Sequence, residues 1–186
     1  AYYASEMLKE RKIEKIYLVR PNVSCGKSHG AVPGSLKEKL LVLFGQTLNH
    51  FEKFLGKGFL NYCVERETIE LVSIEYLRGY SFENCVVILE ECQGLTDEQY
   101  EMVLGRVGKG AQLISTGDER QASESERSGL RQTIDMLEDA LDTSPSYLDE
   151  KDMNELYSNI GIVEFTFDDV QRSDIVKALA KLYYYK

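Results

Sequence analysis

The stretch Asn84–Gln93, NCVVILEECQ, decides the fold. Cys85 to Leu89 are apolar without a break, and Val86, Val87 and Ile88 are β-branched. No polar residue alternates with them, so neither face of a strand here is set aside for water. Such a run suits a central strand of a parallel sheet, covered on both faces. It ends in two adjacent acids, Glu90 and Glu91. Ligands of open α/β sheets bind beyond the carboxyl ends of the strands. Two carboxylates at that edge are therefore a candidate site, although acids at strand ends are common.

The neighbouring segments extend the pattern. LTDEQYEMVLGRVG (95–108) is a helix, with Thr96 near its N-cap and Gly108 after its end. AQLIST (111–116) is a second buried strand, followed by GDERQ. Its end brings Thr116, Gly117, Asp118 and Gln121 to the same edge as the acids. There Gly117 allows a tight exit and Gln121 can sense a phosphate or a water. An ordinary Asp-containing turn is the plainer reading of that segment alone. Upstream, KIYLV (15–19) and IELVSI (69–74) are strands, and GIVEFTF (161–167) is the last one. Helices are read at 1–11, at 35–56 with Ser35 as N-cap and Glu38 three residues on, at 127–141 and at 168–185. Residues 57–68 are ambiguous, and the acidic stretch 142–160 is a surface excursion. Strands alternate with helices, which argues an α/β fold with a mostly parallel sheet flanked by helices, in one domain over 1–186.

One short stretch imitates a phosphate cradle. Gly26-Lys27-Ser28 follows a strand, as the end of GxxxxGK[ST] does. The first glycine of that pattern would stand at Pro21, which has no N–H to offer a phosphate. Gly30, Pro33 and Gly34 follow closely, and no stable helix runs through GAVPG to aim its N-terminus at an anion. Lys27 and Ser28 are therefore read as part of a structured loop.

The chain has 186 residues, with 43% hydrophobic and 28% charged, which is ordinary for a globular protein. Its net charge of −9 argues against a broad nucleic-acid-wrapping surface but leaves room for a local channel. Arg20, Lys27, Lys37 and Lys39 against Glu38 make residues 20–39 locally basic. The four cysteines and two histidines have no zinc-ligand spacing, so free thiols are expected. No apolar run is long enough for a membrane span and no signal-peptide pattern is present, which points to the cytoplasm.

The series IYLVRPNV, GAVPGSLKEKL, EYLRGYSFENCVVILEECQ, LGRVGKGAQLISTGDERQ, SGLRQTIDML and FTFDDVQRSDIVKAL resembles the PhoH-like ATPases along nearly the whole chain. These are P-loop proteins related to superfamily-one helicases. The resemblance implies a RecA-like core whose first strand and P-loop would lie upstream of Ala1, with AYYASEMLKERK as the rest of the following helix. It implies ATP and Mg²⁺ as cofactors. Without the upstream lysine and hydroxyl, this chain alone is expected to bind and hydrolyse ATP weakly.

By the same resemblance, Glu90 takes the magnesium-side place, where the family usually has Asp, and Glu91 that of the base. Gln93 and Gln121 would sit near the γ-phosphate. Thr116, Gly117 and Asp118 would line the nucleotide edge. Arg172 would contact phosphate in its own subunit or reach a neighbour's site, in a homo-oligomer that could be a ring; a surface arginine at a helix start is the plainer reading. Arg20, Pro21 and Arg78 lie where related helicases contact nucleic acid, although Arg78-Gly79 equally fits a plain turn. The implied function is ATP hydrolysis coupled to RNA or single-stranded DNA. A nucleotide-responsive regulatory module with little turnover is the alternative, and a standalone nucleic-acid binder is a third reading.

Overall fold

The computed structural model describes residues 1–21, 35–121, 128–166 and 169–184. The loop carrying Lys27, Ser28 and GAVPG lies outside them. Two compact units are present, Ala1–Met136 and Leu137–Lys186. The first holds a sheet of four parallel strands in the order β2-β1-β3-β4. These are β1 (Lys15–Arg20), β2 (Ile69–Ser73), β3 (Cys85–Leu89) and β4 (Gln112–Ser115).

The apolar run of β3 is buried throughout, as its composition requires. Side chains alternate across a strand. Val86 and Ile88 therefore enter one core with Ile16 and Leu18 of β1, while Cys85, Val87 and Leu89 enter the other with Val19. The first core is covered by α1 (Tyr2–Lys9), α3 (Gly45–Leu55) and α4 (Lys57–Glu65), through Ala4, Leu8, Phe51, Leu60 and Cys63. The second is covered by α5 (Asp97–Leu104), through Tyr100 and Val103. Burial of each large side chain contributes ~1.5–3 kcal/mol, so these two layers hold the sheet.

The stretch 35–56, expected as one helix, forms two. The first, α2 (Leu36–Leu43), starts with the expected capping box: Glu38 N–H donates to Ser35 Oγ and Ser35 N–H to the Glu38 carboxylate. It stops at Phe44, whose backbone leaves the helical region (φ −95°, ψ 6°). Phe44 is completely buried and Gly45, a weak helix former, follows it. Seating the phenyl ring in the core outweighs continuing a straight helix. The ambiguous 57–68 resolves as α4 and a turn into β2.

The second unit comprises the end of α6 (Gly129–Thr143), α7 (Glu150–Asn159) and α8 (Asp174–Tyr184). The stretch 142–160, read as a surface excursion, contains α7, capped by Asp149 accepting from Asp152 N–H at 2.8 Å. The last expected strand, GIVEFTF, is not one over its described part. Residues 161–166 join no ladder among the described residues, and Val163 and Phe165 are each 78% exposed. A strand is defined by its hydrogen-bonding neighbour, and periodicity alone does not supply one. No helix among the described residues is long and apolar enough to cross a membrane.

Candidate functional site at the carboxyl edge of the sheet

Register places the site. Val19 pairs with Leu89 and Leu89 with Ser115. The next residues, Arg20, Glu90 and Thr116, therefore form one row where the three strands end. Glu90 N–H still donates to Val19 O at 2.9 Å, and Thr116 N–H to Leu89 O at 2.8 Å. Glu90 is thus anchored through the backbone of β1, and Leu89 just before it through that of β4.

Alternation sends Glu90 to the α1/α3 face. There its carboxylate meets the Thr47 hydroxyl of α3, with Oγ1 2.7 Å from Oε1 and 2.8 Å from Oε2. The next residue leaves the strand altogether. Glu91 is in the left-handed region (φ 57°, ψ 39°), a conformation that costs a non-glycine residue ~1–3 kcal/mol and collects at functional sites. This turns its side chain out of the alternation. Glu91 Oε2 accepts from Gln93 Nε2 at 2.7 Å, and Oε1 lies 3.4 Å from Arg20 Nη2. Arg20 also donates through Nη1 to Leu43 O at 3.1 Å.

Gln93 links the two strand ends. While its amide donates to Glu91, its Oε1 accepts from Asp118 N–H at 3.1 Å. Asp118 in turn accepts from Gln121 Nε2 at 2.9 Å. Glu91, Gln93, Thr116, Gly117, Asp118 and Gln121 together line a cleft of about 270 Å³. Ligand pockets commonly run ~300–1,000 Å³, so this cleft stands at the small end of that range.

Gly117 is needed for space rather than for a positive φ. A Cβ there would stand 2.9 Å from Gln93 Oε1, 2.9 Å from Leu130 Cδ2 and 3.1 Å from the Gln93 backbone nitrogen. Gly117→Ala is expected to cost ~1–3 kcal/mol in urea unfolding by overpacking, and to displace Gln93 from Asp118. Unchanged stability would show that the loop yields freely.

Cys92 lies between the acids and Gln93, fully buried, with Sγ donating to Leu89 O at 3.2 Å. Burial pushes its thiol up to about 12 and that of Cys85 up to about 11, from an ordinary 9.0. Both raised groups favour the folded state fully below pH ~9, and that contribution is lost as pH climbs through 11 and 12. Thermal melts are expected to fall progressively above pH ~9. Iodoacetamide at pH 8 is expected to spare Cys85 and Cys92 until urea is added. Labelling of the folded chain at free-thiol rates would contradict this.

The remaining candidates are dispersed. Pro21 is buried behind Arg20 in the chain. Arg78 is exposed in a turn closed by Tyr80 N–H to Leu77 O at 3.1 Å, with Gly79 at φ +92°, as the third position of a type II turn requires. Arg172 is exposed in the second unit, ahead of α8. Thr47 was missed by sequence reading. It lies 43 residues from Glu90, and a threonine in a helix carries no signal of its partner.

Among the described residues no group of three or more His, Cys, Asp or Glu could hold a metal ion. Mg²⁺ in nucleotide sites is held through one or two carboxylates together with phosphates, so the Glu90–Glu91 edge fits that donor chemistry without a dedicated cage.

The family model described as PhoH-like protein matches residues 1–184. The chain belongs to the PhoH family. It is 36% identical to a PhoH-like protein of Bacillus subtilis over 152 residues, 81% of this chain and 48% of that protein. It is 31% identical to Protein PhoH of Escherichia coli over 182 residues, 97% of this chain and 47% of that protein. A PhoH-like protein of Mycobacterium tuberculosis is 29% identical over 182 residues, again covering 97% of this chain and 47% of its own length. The chain thus spans about half the length of these PhoH relatives. Its parallel α/β sheet is consistent with a P-loop NTPase-like core.

Proposed function

We propose that this chain is the acid-bearing and γ-phosphate-sensing part of an ATP-hydrolysing core that couples turnover to RNA or single-stranded DNA. The observation that carries the reading is the convergence of Glu91, Gln93, Asp118 and Gln121 around one small cleft, at the sheet edge where Glu90 also ends its strand. PhoH membership supports it.

In this reading Glu91 takes a proton from the attacking water, and Gln93 holds the carboxylate and orients that water through its amide. Gln121 and Asp118 contact the γ-phosphate side of the cleft. Glu90 holds the metal side, and bound Mg²⁺ supplies charge neutralisation at the phosphates. The lysine of a phosphate-binding loop is not among these residues. Arg172, by the family resemblance alone, is the arginine-finger candidate of this reading. Arg20 anchors Glu91, and Arg20, Pro21 and Arg78 are the residues this reading assigns to nucleic-acid contact.

A second reading, a nucleotide-responsive regulatory module with little turnover, is favoured by one contact pattern. Both oxygens of Glu91 are already engaged, by Gln93 and Arg20. The full-length protein with Mg-ATP, assayed for phosphate release with and without RNA and single-stranded DNA, separates the two. Turnover raised by either nucleic acid supports the enzyme. Nucleotide binding with negligible turnover in every condition supports the module.

A further inference from the structure

The Thr47–Glu90 contact joins elements far apart in sequence and does something the strand alone cannot. The Glu90 backbone is fixed by Val19 O, but its side chain has rotatable bonds of its own. Thr47 stands in the first turn of α3, just past the break at Phe44, and is half-buried. Its hydroxyl proton is shared between both carboxylate oxygens, at 2.7 and 2.8 Å, the geometry of a charge-assisted O–H···O⁻ bond. Length matters here, because an aspartate at 90 would draw its carboxylate back by one methylene. The break matters as well, since Phe44 sets where the first turn of α3 begins. Arg20 ties the same joint to the other acid by donating to Leu43 O while pairing with Glu91.

We propose that Thr47 is a positioning residue for Glu90: its hydroxyl holds the longer carboxylate where a metal–phosphate complex meets it. This rests on the nucleotide reading above for what Glu90 does, but not for the contact itself.

The test has two arms, run on Thr47→Val, Thr47→Ser, Glu90→Asp and Thr47→Val/Glu90→Asp. Thermal unfolding of this chain reads the contact. Thr47→Val is expected to lower the melting temperature by about 2–6 °C, Thr47→Ser by much less, and Thr47→Val to have no further effect once Glu90 is Asp. Titration of the full-length protein with Mn²⁺ in the presence of ADP, followed by electron paramagnetic resonance, reads the positioning. Thr47→Val and Glu90→Asp are each expected to raise the half-saturating Mn²⁺ concentration about 10-fold, with Thr47→Ser near the unsubstituted value. Additive effects of the two substitutions on unfolding would overturn the contact. Coupled unfolding with unchanged Mn²⁺ half-saturation would overturn the positioning role and leave Thr47 a structural cap. Failure of the unsubstituted protein to bind Mn²⁺ with ADP would overturn the nucleotide reading, and with it the metal-side role of Thr47. The unfolding arm separates that failure from loss of the contact.

Discussion

Replacing Glu91 by glutamine is expected to lower ATP turnover of the full-length protein by about 10²–10⁴-fold while nucleotide affinity stays within a few-fold. The substitution is nearly isosteric, so the left-handed turn at position 91 and the contact with Gln93 have no steric reason to change. What is removed is the basic oxygen. The amide keeps one acceptor, which Gln93 Nε2 occupies at 2.7 Å in the native chain, and presents a donor toward Arg20 where a carboxylate oxygen stood. A proton acceptor is lost and two donors are brought face to face. The measurement is single-turnover phosphate release beside equilibrium nucleotide binding for the same preparation. Turnover equal to the unsubstituted protein would move the base elsewhere, and Asp118 would be the next carboxylate to test. Loss of binding together with turnover would mean that the turn itself had collapsed.

Phe44→Ala is expected to cost this chain ~3–5 kcal/mol, a large part of the ~5–15 kcal/mol that ordinarily holds a domain together. For a chain of this size that corresponds to a fall in melting temperature of about 6–20 °C. The ring is completely buried in the core that joins β1, β3, α1 and α4. Alanine leaves a cavity at the point where α2 and α3 meet, and the two helices are then free to straighten toward one. That motion would carry Leu43 away from Arg20 and Thr47 away from Glu90, so the acids should loosen with the core. Thermal and urea unfolding followed by circular dichroism check the first part, and Phe44→Leu, which refills most of the volume, should recover most of the loss. A cost below ~1 kcal/mol would show that the joint collapses around the gap without strain.

The parts of the fold that were legible in sequence are those decided by local composition. Cys85–Leu89 is apolar on both faces and became the doubly covered central strand. Ser35 stands three residues before Glu38 and that capping box formed, and Thr96 caps its helix as read, with Gln99 completing a second box in the structure. Helix 35–56 was misjudged at Phe44, because a buried aromatic inside a helical pattern does not announce that its burial bends the chain. GIVEFTF was misjudged because its apolar character is local while a ladder is not. Of the candidate site, Glu90, Glu91, Thr116, Gly117, Asp118 and Gln121 could be placed at one edge from strand ends alone, whereas Gln93 came only with the family resemblance. The contacts of Arg20 with Glu91 and of Thr47 with Glu90 could not, since each depends on register or helix position across 71 and 43 residues.

By itself the sequence determined which segments are strands and helices over most of the first unit, that the sheet is parallel, and that acids and amides gather where β3 and β4 end. These follow from side-chain period, from propensity and from the chemistry at strand termini, all of which act within a few residues. Only the tertiary structure decided the strand order β2-β1-β3-β4, the break at Phe44, the left-handed turn at Glu91 and the partner of each carboxylate. The physical reason is that a hydrogen bond of 2.7 Å tolerates little error in position. Position at that precision is set by how the whole core packs, with no trace in the residues that make the bond.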